Sequence, residues 1–444
     1  MLSSKLRTEF ERVRPFIPFI LCQLIILGCC YRLWLVYAYN PMDHIWSDPE
    51  RHWVQGIDAR RDDPLALMDP ILFQLYIGVL AKLTLGIPKL VAFYTSALSL
   101  VTPWLWYRFL RELQPSRNLA LLGWAILAWL PSWAAIYSYF MQETLMLPLL
   151  GAALWATWRC RRKADLPAFI LAALLWTLAG LTRSICLPIG LLALVWLWAA
   201  QGDKARRAAV SVILLALVFG PLTVRSLNRA HLVAPHGIGG LNALYARSGG
   251  FEINIEFKRQ GAGWGYGFGS PSVGARPFEP FSDWHTSREG VARFRIDLDK
   301  GTEDWDAEQA KLDLDLPRYL WLTKENLIFL FFSESWPDTN RERLIGEINH
   351  QLRWIWAPLT LAGLILTLRL WRRQRERMLP ALILVWFLVQ GLSLVAVNEG
   401  RYRKPFEGLL VAQLILLAST LGRPRFADQT MPAAVPPLPK GTGL

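Results

Sequence analysis

The sequence predicts an all-α polytopic membrane protein with about ten transmembrane helices. Three observations predict it. Apolar runs long enough to cross a bilayer as helices recur from one end of the chain to the other. They are too long and too continuous for barrel strands, the other structure that satisfies its backbone in lipid. Clusters of Lys and Arg punctuate the runs and set one consistent orientation. Composition agrees: of 444 residues, 53% are hydrophobic, and the 22 Trp suit interfacial belts. The formal charge of +13 follows from the positive-inside bias and argues for no nucleic-acid partner. Cys22, Cys29, Cys30, Cys160 and Cys186 all lie in or beside predicted spans, which implies neither a disulfide framework nor a zinc site.

Lys5, Arg7, Arg12 and Arg14 precede the first span, 16–39, which is too long for a cleaved signal and lacks an Ala-x-Ala end. An outer loop, 40–87, follows. Its apolar piece 71–85 is short, follows Asp69-Pro70 and carries Lys82. Counting it as a full span would invert every later loop, so an interfacial or re-entrant outer helix is expected there. Further spans are expected at 88–107, 118–137, 144–158, 166–182, 185–200 and 207–224. The polar segment 226–350 is too long for a plain connection. It is Gly-rich at 261–269, where a mobile loop is expected, and then acidic and helix-like over 288–316. A small α or α+β domain on the outer face is the expectation. Spans at 353–370, 379–397 and 404–421 complete the bundle, and the Pro-rich tail, 426–444, reads as disordered. The units are therefore 1–225, 226–350, 351–425 and the tail. This order puts both termini, and the basic clusters at 108–117, 159–163, 204–207 and 369–377, in the cytoplasm.

Chemistry concentrates on the other side. Asp48-Pro49-Glu50-Arg51-His52 emerges just after the first span. Ionisable groups so close to a lipid face usually belong to a polar cavity. Glu143 falls between the third and fourth spans, Arg183 between the fifth and sixth, and Arg225 at the end of the seventh. Glu399, Arg401, Tyr402 and Arg403 fall between the last two. Outer-side Arg183, Arg225, Arg401 and Arg403 run against the positive-inside trend, and the guanidinium fork matches phosphate oxygens. They are the candidate phosphate ligands. Asp48, Glu50 and Glu143 are the candidate catalytic carboxylates, and His52 and Tyr402 are candidate substrate contacts. Asp48, Glu50 and His52 also offer donors for a divalent metal, though no spacing demands one; no other cofactor is expected. Each residue has a structural reading too. Asp48 and Glu50 can cap a helix, Glu143 can pair with an arginine, and Arg183 can cap a break. Arg401 and Arg403 can reach for headgroups, and His52 can simply be packed.

Several stretches resemble one family. Ser47-Asp48-Pro49-Glu50 precedes Asp69-Pro70-Ile71-Leu72-Phe73-Gln74-Leu75-Tyr76. Pro221-Leu222-Thr223-Val224-Arg225-Ser226-Leu227-Asn228 leads to Gly239-Gly240-Leu241-Asn242-Ala243-Leu244-Tyr245, and Gly400-Arg401-Tyr402-Arg403-Lys404-Pro405-Phe406-Glu407 comes late. Together they are similar to the GT-C glycosyltransferases that use polyprenyl-phosphate sugars. The likeness is to bacterial relatives of protein O-mannosyltransferase and of the lipid A aminoarabinose transferase. The resemblance implies a GT-C-like fold and inverting transfer from a polyprenyl-phosphate sugar, with Asp48 as base and arginines on the lipid phosphate. It also implies a place in the bacterial inner membrane, facing the periplasm or cell exterior, and a role in cell-envelope polysaccharide or glycoconjugate synthesis among membrane lipids. Pro49 separates the two first-loop carboxylates, often adjacent in the family, so Glu50 stays a second choice of base. The acceptor, whether glycan, lipid or protein, is left open. Two other classes place charges similarly: a transporter or flippase of a lipid-linked or anionic solute, which more often shows repeated halves, and a membrane scaffold.

Overall fold

Helices follow the apolar runs. The computed structural model describes residues 14–45, 47–58, 70–113, 116–200, 202–230, 252–260, 263–266, 291–297, 320, 327, 330–331, 343–372, 376–392 and 400–421. Helix α1 (Ile17–Ala38) is followed by a tight turn, Pro41–His44, which Asn40 caps by accepting from the Met42 N–H. The short helices α2 (Ser47–Ile57) and α3 (Ile71–Thr84) pack on each other. Their crossing depends on glycine. A Cβ on Gly56 would lie 2.3 Å from Ile77 Cγ2, and one on Gly78 would lie 2.8 Å from the Gly56 carbonyl oxygen. Phe73, Ile77 and Leu80 bury the contact, and Trp53 stacks on Phe140.

After α4 (Pro88–Leu113), helix α5 (Arg117–Trp129) starts at Ser116, whose hydroxyl accepts from the Leu119 N–H. The sequence predicts one span over 118–137, but the structure has a bent pair there. The chain turns by 56° at Leu130-Pro131 into α6 (Pro131–Ala135). Pro131 has no N–H to continue the ladder, and the residue before a proline is pushed out of the helical region. Leu130 is extended, at φ −60° and ψ 111°. Helices α7 (Glu143–Lys163), α8 (Leu166–Thr182), α9 (Cys186–Ala200) and α10 (Lys204–Ala230) follow. The last three are α11 (Arg343–Leu370), α12 (Met378–Leu392) and, after a 3₁₀ turn at Gly400–Arg403, α13 (Lys404–Leu421).

The core lies where α4 meets α7 and α7 meets α8, with α13 closing against α5, α11 and α12. Trp106, Trp133 and Trp176 are fully enclosed, and each indole N–H finds an acceptor as burial requires: the Leu147 carbonyl, the Lys404 carbonyl and the Thr157 hydroxyl. Phe19, Ile26, Val212, Leu217, Leu361 and Leu368 face outward. Such a collar suits lipid rather than water. Among the described residues two helices, Ile17–Ala38 and Lys204–Arg225, are long and apolar enough to cross a membrane, or up to three if the bent pair is one span; five more apolar helices are shorter. The molecule is a mostly helical membrane protein.

One end of the bundle is a belt of cations on indoles and rings. Arg108 lies over Trp104 and Trp155, Arg161 over Trp196, Lys204 over Trp198 and Arg207 over Phe169. Arg162 pairs with Glu112, and Trp158 donates to Glu376. The polar segment contains an antiparallel sheet of order β2-β1-β3, with β1 at Glu252–Gln260, β2 at Gly263–Tyr266 and β3 at Val291–Asp297. Part of the glycine-rich run, expected as a mobile loop, is thus a strand: Trp264 and Tyr266 alternate with glycine at the period of two a strand needs. The expected helix over 288–316 is corrected for 291–297, where Arg293 and Arg295 alternate with Phe294 and Ile296. The remainder of 288–316, the stretch 239–245, Asp69, Glu399 and the tail 426–444 lie outside the described residues.

Candidate functional site

Four separate pieces of chain deliver charges to the end of α7 opposite the belt. Asp48 is in the first turn of α2, and Glu143 is the first residue of α7. Carboxylates are favoured at both places by the helix dipole. Arg183 is the C-cap of α8, where a cation is favoured. Arg401 and Tyr402 belong to the 3₁₀ turn before α13.

These side chains meet. Arg401 Nη1 donates to Asp48 Oδ2 at 3.3 Å, and its Nε lies 4.0 Å from Glu143 Oε1. Arg183 pairs with the same Glu143 oxygen, and Arg51 pairs with Asp48 Oδ1. Tyr402 lies under two cations, with Arg183 Cζ 4.4 Å and Arg401 Cζ 5.1 Å from its ring centroid, and its hydroxyl accepts from Arg401 Nη2 at 3.2 Å. Three guanidiniums thus face two carboxylates, an excess of one positive charge. Glu143 is buried, yet its Oε2 has no hydrogen-bond partner among the described residues. Burial alone would raise the Asp48 carboxyl, but Arg401, Arg51 and then His52 outweigh it and hold it well below the usual carboxylate range.

The remaining sequence candidates divide. His52 lies one turn after Asp48 on the same helix face, buried with its ring 5.1 Å from Phe73 and edge-on to it. Glu50, two residues from Asp48, is exposed on the other side of the helix. Asp48, Glu50 and His52 therefore do not converge as metal ligands. No group of three His, Cys, Asp or Glu side chains able to hold a metal occurs among the described residues. Arg403 is corrected outright as a phosphate ligand. It is enclosed, its Nε donates to Glu407 at 2.9 Å, and its Nη1 donates to the Leu330 and Phe331 carbonyls. Arg225 is half-buried near the end of α10 and is not among the paired residues above. Arg51 was missed as a site residue. Its signal was legible, since residues three apart share a helix face.

No protein-family model matches the chain, and no curated protein sequence matches it.

Proposed function

We propose that this protein is a polytopic membrane glycosyltransferase of about ten spans that moves a sugar from a polyprenyl phosphate to an acceptor hydroxyl. One observation carries the reading: Asp48 and Glu143, from helices far apart in sequence, share Arg401 beside Arg183 and Tyr402. Paired carboxylates and arginines in excess by one charge suit an anionic donor and a nucleophile that must lose a proton. In the reaction, Asp48 takes the acceptor proton while the acceptor oxygen attacks the anomeric carbon. The bond from that carbon to the phosphate oxygen breaks, the electron pair leaves with the polyprenyl phosphate, and the single displacement inverts the centre. Negative charge grows on the departing phosphate, where Arg183 and Arg401 stabilise it. Glu143 holds both arginines until the phosphate draws on them. The cationic belt at the opposite end supports an outer-face site by the positive-inside bias, and a bacterial inner membrane goes with the family resemblance.

The test is transfer of radiolabelled sugar from polyprenyl phosphate by purified protein, beside donor binding. Donor binding with label appearing in an acceptor supports the reading; no binding of any polyprenyl-phosphate sugar removes it. A second reading, a transporter of a lipid-linked or anionic solute, is favoured by the broken helix α5–α6. Flux of label across proteoliposomes without bond cleavage distinguishes it.

A further inference from the structure

Arg401 reaches the cluster from a four-residue turn, and such a turn holds no direction by itself. The chain just after Arg401 is fixed by polar contacts to α6. Arg403 Nε donates to Glu407 Oε1 at 2.9 Å, and Glu407 Oε2 accepts from Ser132 Oγ at 2.5 Å. Lys404 Nζ donates to the Ser132 carbonyl at 2.8 Å, and Trp133 Nε1 donates back to the Lys404 carbonyl at 2.9 Å. Arg403 Nη1 ties the same turn to the carbonyls of Leu330 at 3.1 Å and Phe331 at 2.8 Å. Ser132, Arg403, Lys404 and Glu407 are each 3% exposed or less.

A buried ion pair adds little stability over apolar packing, because desolvation offsets the Coulomb gain, and its best-attested use is to fix a geometry. Here the pair sits two residues from a guanidinium that must meet Asp48 and Glu143 together. We propose that Ser132, Arg403, Lys404 and Glu407 are positioning residues for Arg401: they lock the 400–404 turn to the first turn of α6. They act through Arg401 and do not touch the donor. The inference about geometry stands apart from the proposed reaction; only its consequence for donor binding rests on that reading.

The experiment has two arms on purified full-length protein. The first measures coupling between Asp48 and Arg401 by melting temperature, using Asp48→Asn, Arg401→Gln and the double variant. The set is repeated with Glu407→Gln and with Ser132→Ala, the milder change that guards against failure to fold. The coupling is expected to vanish with Glu407→Gln and to shrink with Ser132→Ala. Unchanged coupling in the backgrounds that fold overturns the proposal. The second arm measures polyprenyl phosphate binding. Glu407→Gln is expected to weaken it by about tenfold, the scale of one lost charge-assisted bond, and Ser132→Ala by less; adding Arg401→Gln brings either variant only to the level of Arg401→Gln alone. Losses that add fully to that of Arg401→Gln also overturn it. Lost coupling in a protein whose wild type binds no polyprenyl phosphate upholds the positioning role and removes the glycosyl-transfer reading instead.

Discussion

Arg32 and Arg401 are both buried guanidiniums, satisfied in opposite ways. Arg32, within α1, is fully enclosed and, among the described residues, answers only to neutral oxygens. Its Nε donates to the Ala128 carbonyl and its Nη2 to the Leu127 carbonyl, both at 2.8 Å, while Nη1 meets the Ser99 carbonyl and hydroxyl at 3.1 Å. Those carbonyls include the last turn of α5, left without intrahelical partners by the break at Pro131. Arg32 is thus a tethered cation at the negative end of a half-helix, the place a transporter gives to a coupling ion. Arg401 instead faces two carboxylates and an aromatic ring. A carbonyl bound to an arginine has no other form to adopt, whereas a carboxylate partner can be exchanged for another anion or accept a proton. The first arrangement builds the scaffold, and the second leaves room for chemistry.

The sharpest way to break this contrast is Asp48→Asn. It keeps the shape and removes proton-accepting power, so turnover is expected to fall on the order of 10²–10⁴-fold, while donor binding does not weaken, since the lost carboxylate charge no longer competes with the phosphate for Arg401. Exposed Glu50→Gln is expected to change turnover by about twofold or less. Single-turnover transfer assays compare the two, and the opposite ranking would make Glu50 the base.

That ranking was only partly legible in sequence. Asp48, Glu143, Arg183 and Arg401 could be gathered from one rule, that ionisable groups on the outer side of an apolar bundle need a reason to be there. The structure brings those residues together. Choosing between Asp48 and Glu50 needed the helix: once Ser47–Ile57 is helical, Asp48 and His52 share a face that Glu50 does not. Arg403 misled because the same outer-side rule gathered it beside Arg401. In a tight turn running into a helix, they diverge. The break at Pro131 was readable from the proline itself, but the pattern over 118–137 hid it, since no charged residue interrupts that stretch. Nothing local announced that Ser132 would bond to Glu407, 275 residues away.

Arg32→Met tests the scaffold half of the comparison. It orphans buried carbonyls at about 1–3 kcal/mol each, so a loss of roughly 3 kcal/mol or more in unfolding free energy is expected. Donor affinity per folded molecule is expected to stay near normal. Arg32→Lys recovers part of the stability, as an ammonium reaches fewer of the oxygens. Denaturant melts in detergent beside donor binding read both quantities, and a specific loss of binding with intact stability would move Arg32 into the functional half. Arg183→Ala and Arg401→Ala are the mirror experiment. Each is expected to weaken donor binding about 10–100-fold and to slow transfer as well, because charge on the phosphate grows in the transition state. Lysine at either position rescues part of the loss.

The smallest expected effect is in pH, and it tests whether the carboxylate pairs are exchangeable. Asp48 has a folded pKa below its unfolded value of about 3.9. Its pairs therefore stabilise the fold fully above that unfolded value, and the contribution is lost only as pH falls through the lower, folded one. From about pH 5 to 8 this residue leaves the melting temperature flat. A carboxylate held so low is a weak base while Arg401 and Arg51 face it. A bound phosphate draws Arg401 away and adds a negative charge nearby, and both changes raise the Asp48 pKa. Because kcat/KM reports the free enzyme and kcat the donor complex, the acidic limb of kcat is expected at higher pH than that of kcat/KM, by on the order of one unit. Coincident limbs would mean that Arg401 stays on Asp48 throughout, and the cluster would then be as fixed as the carbonyl cage around Arg32.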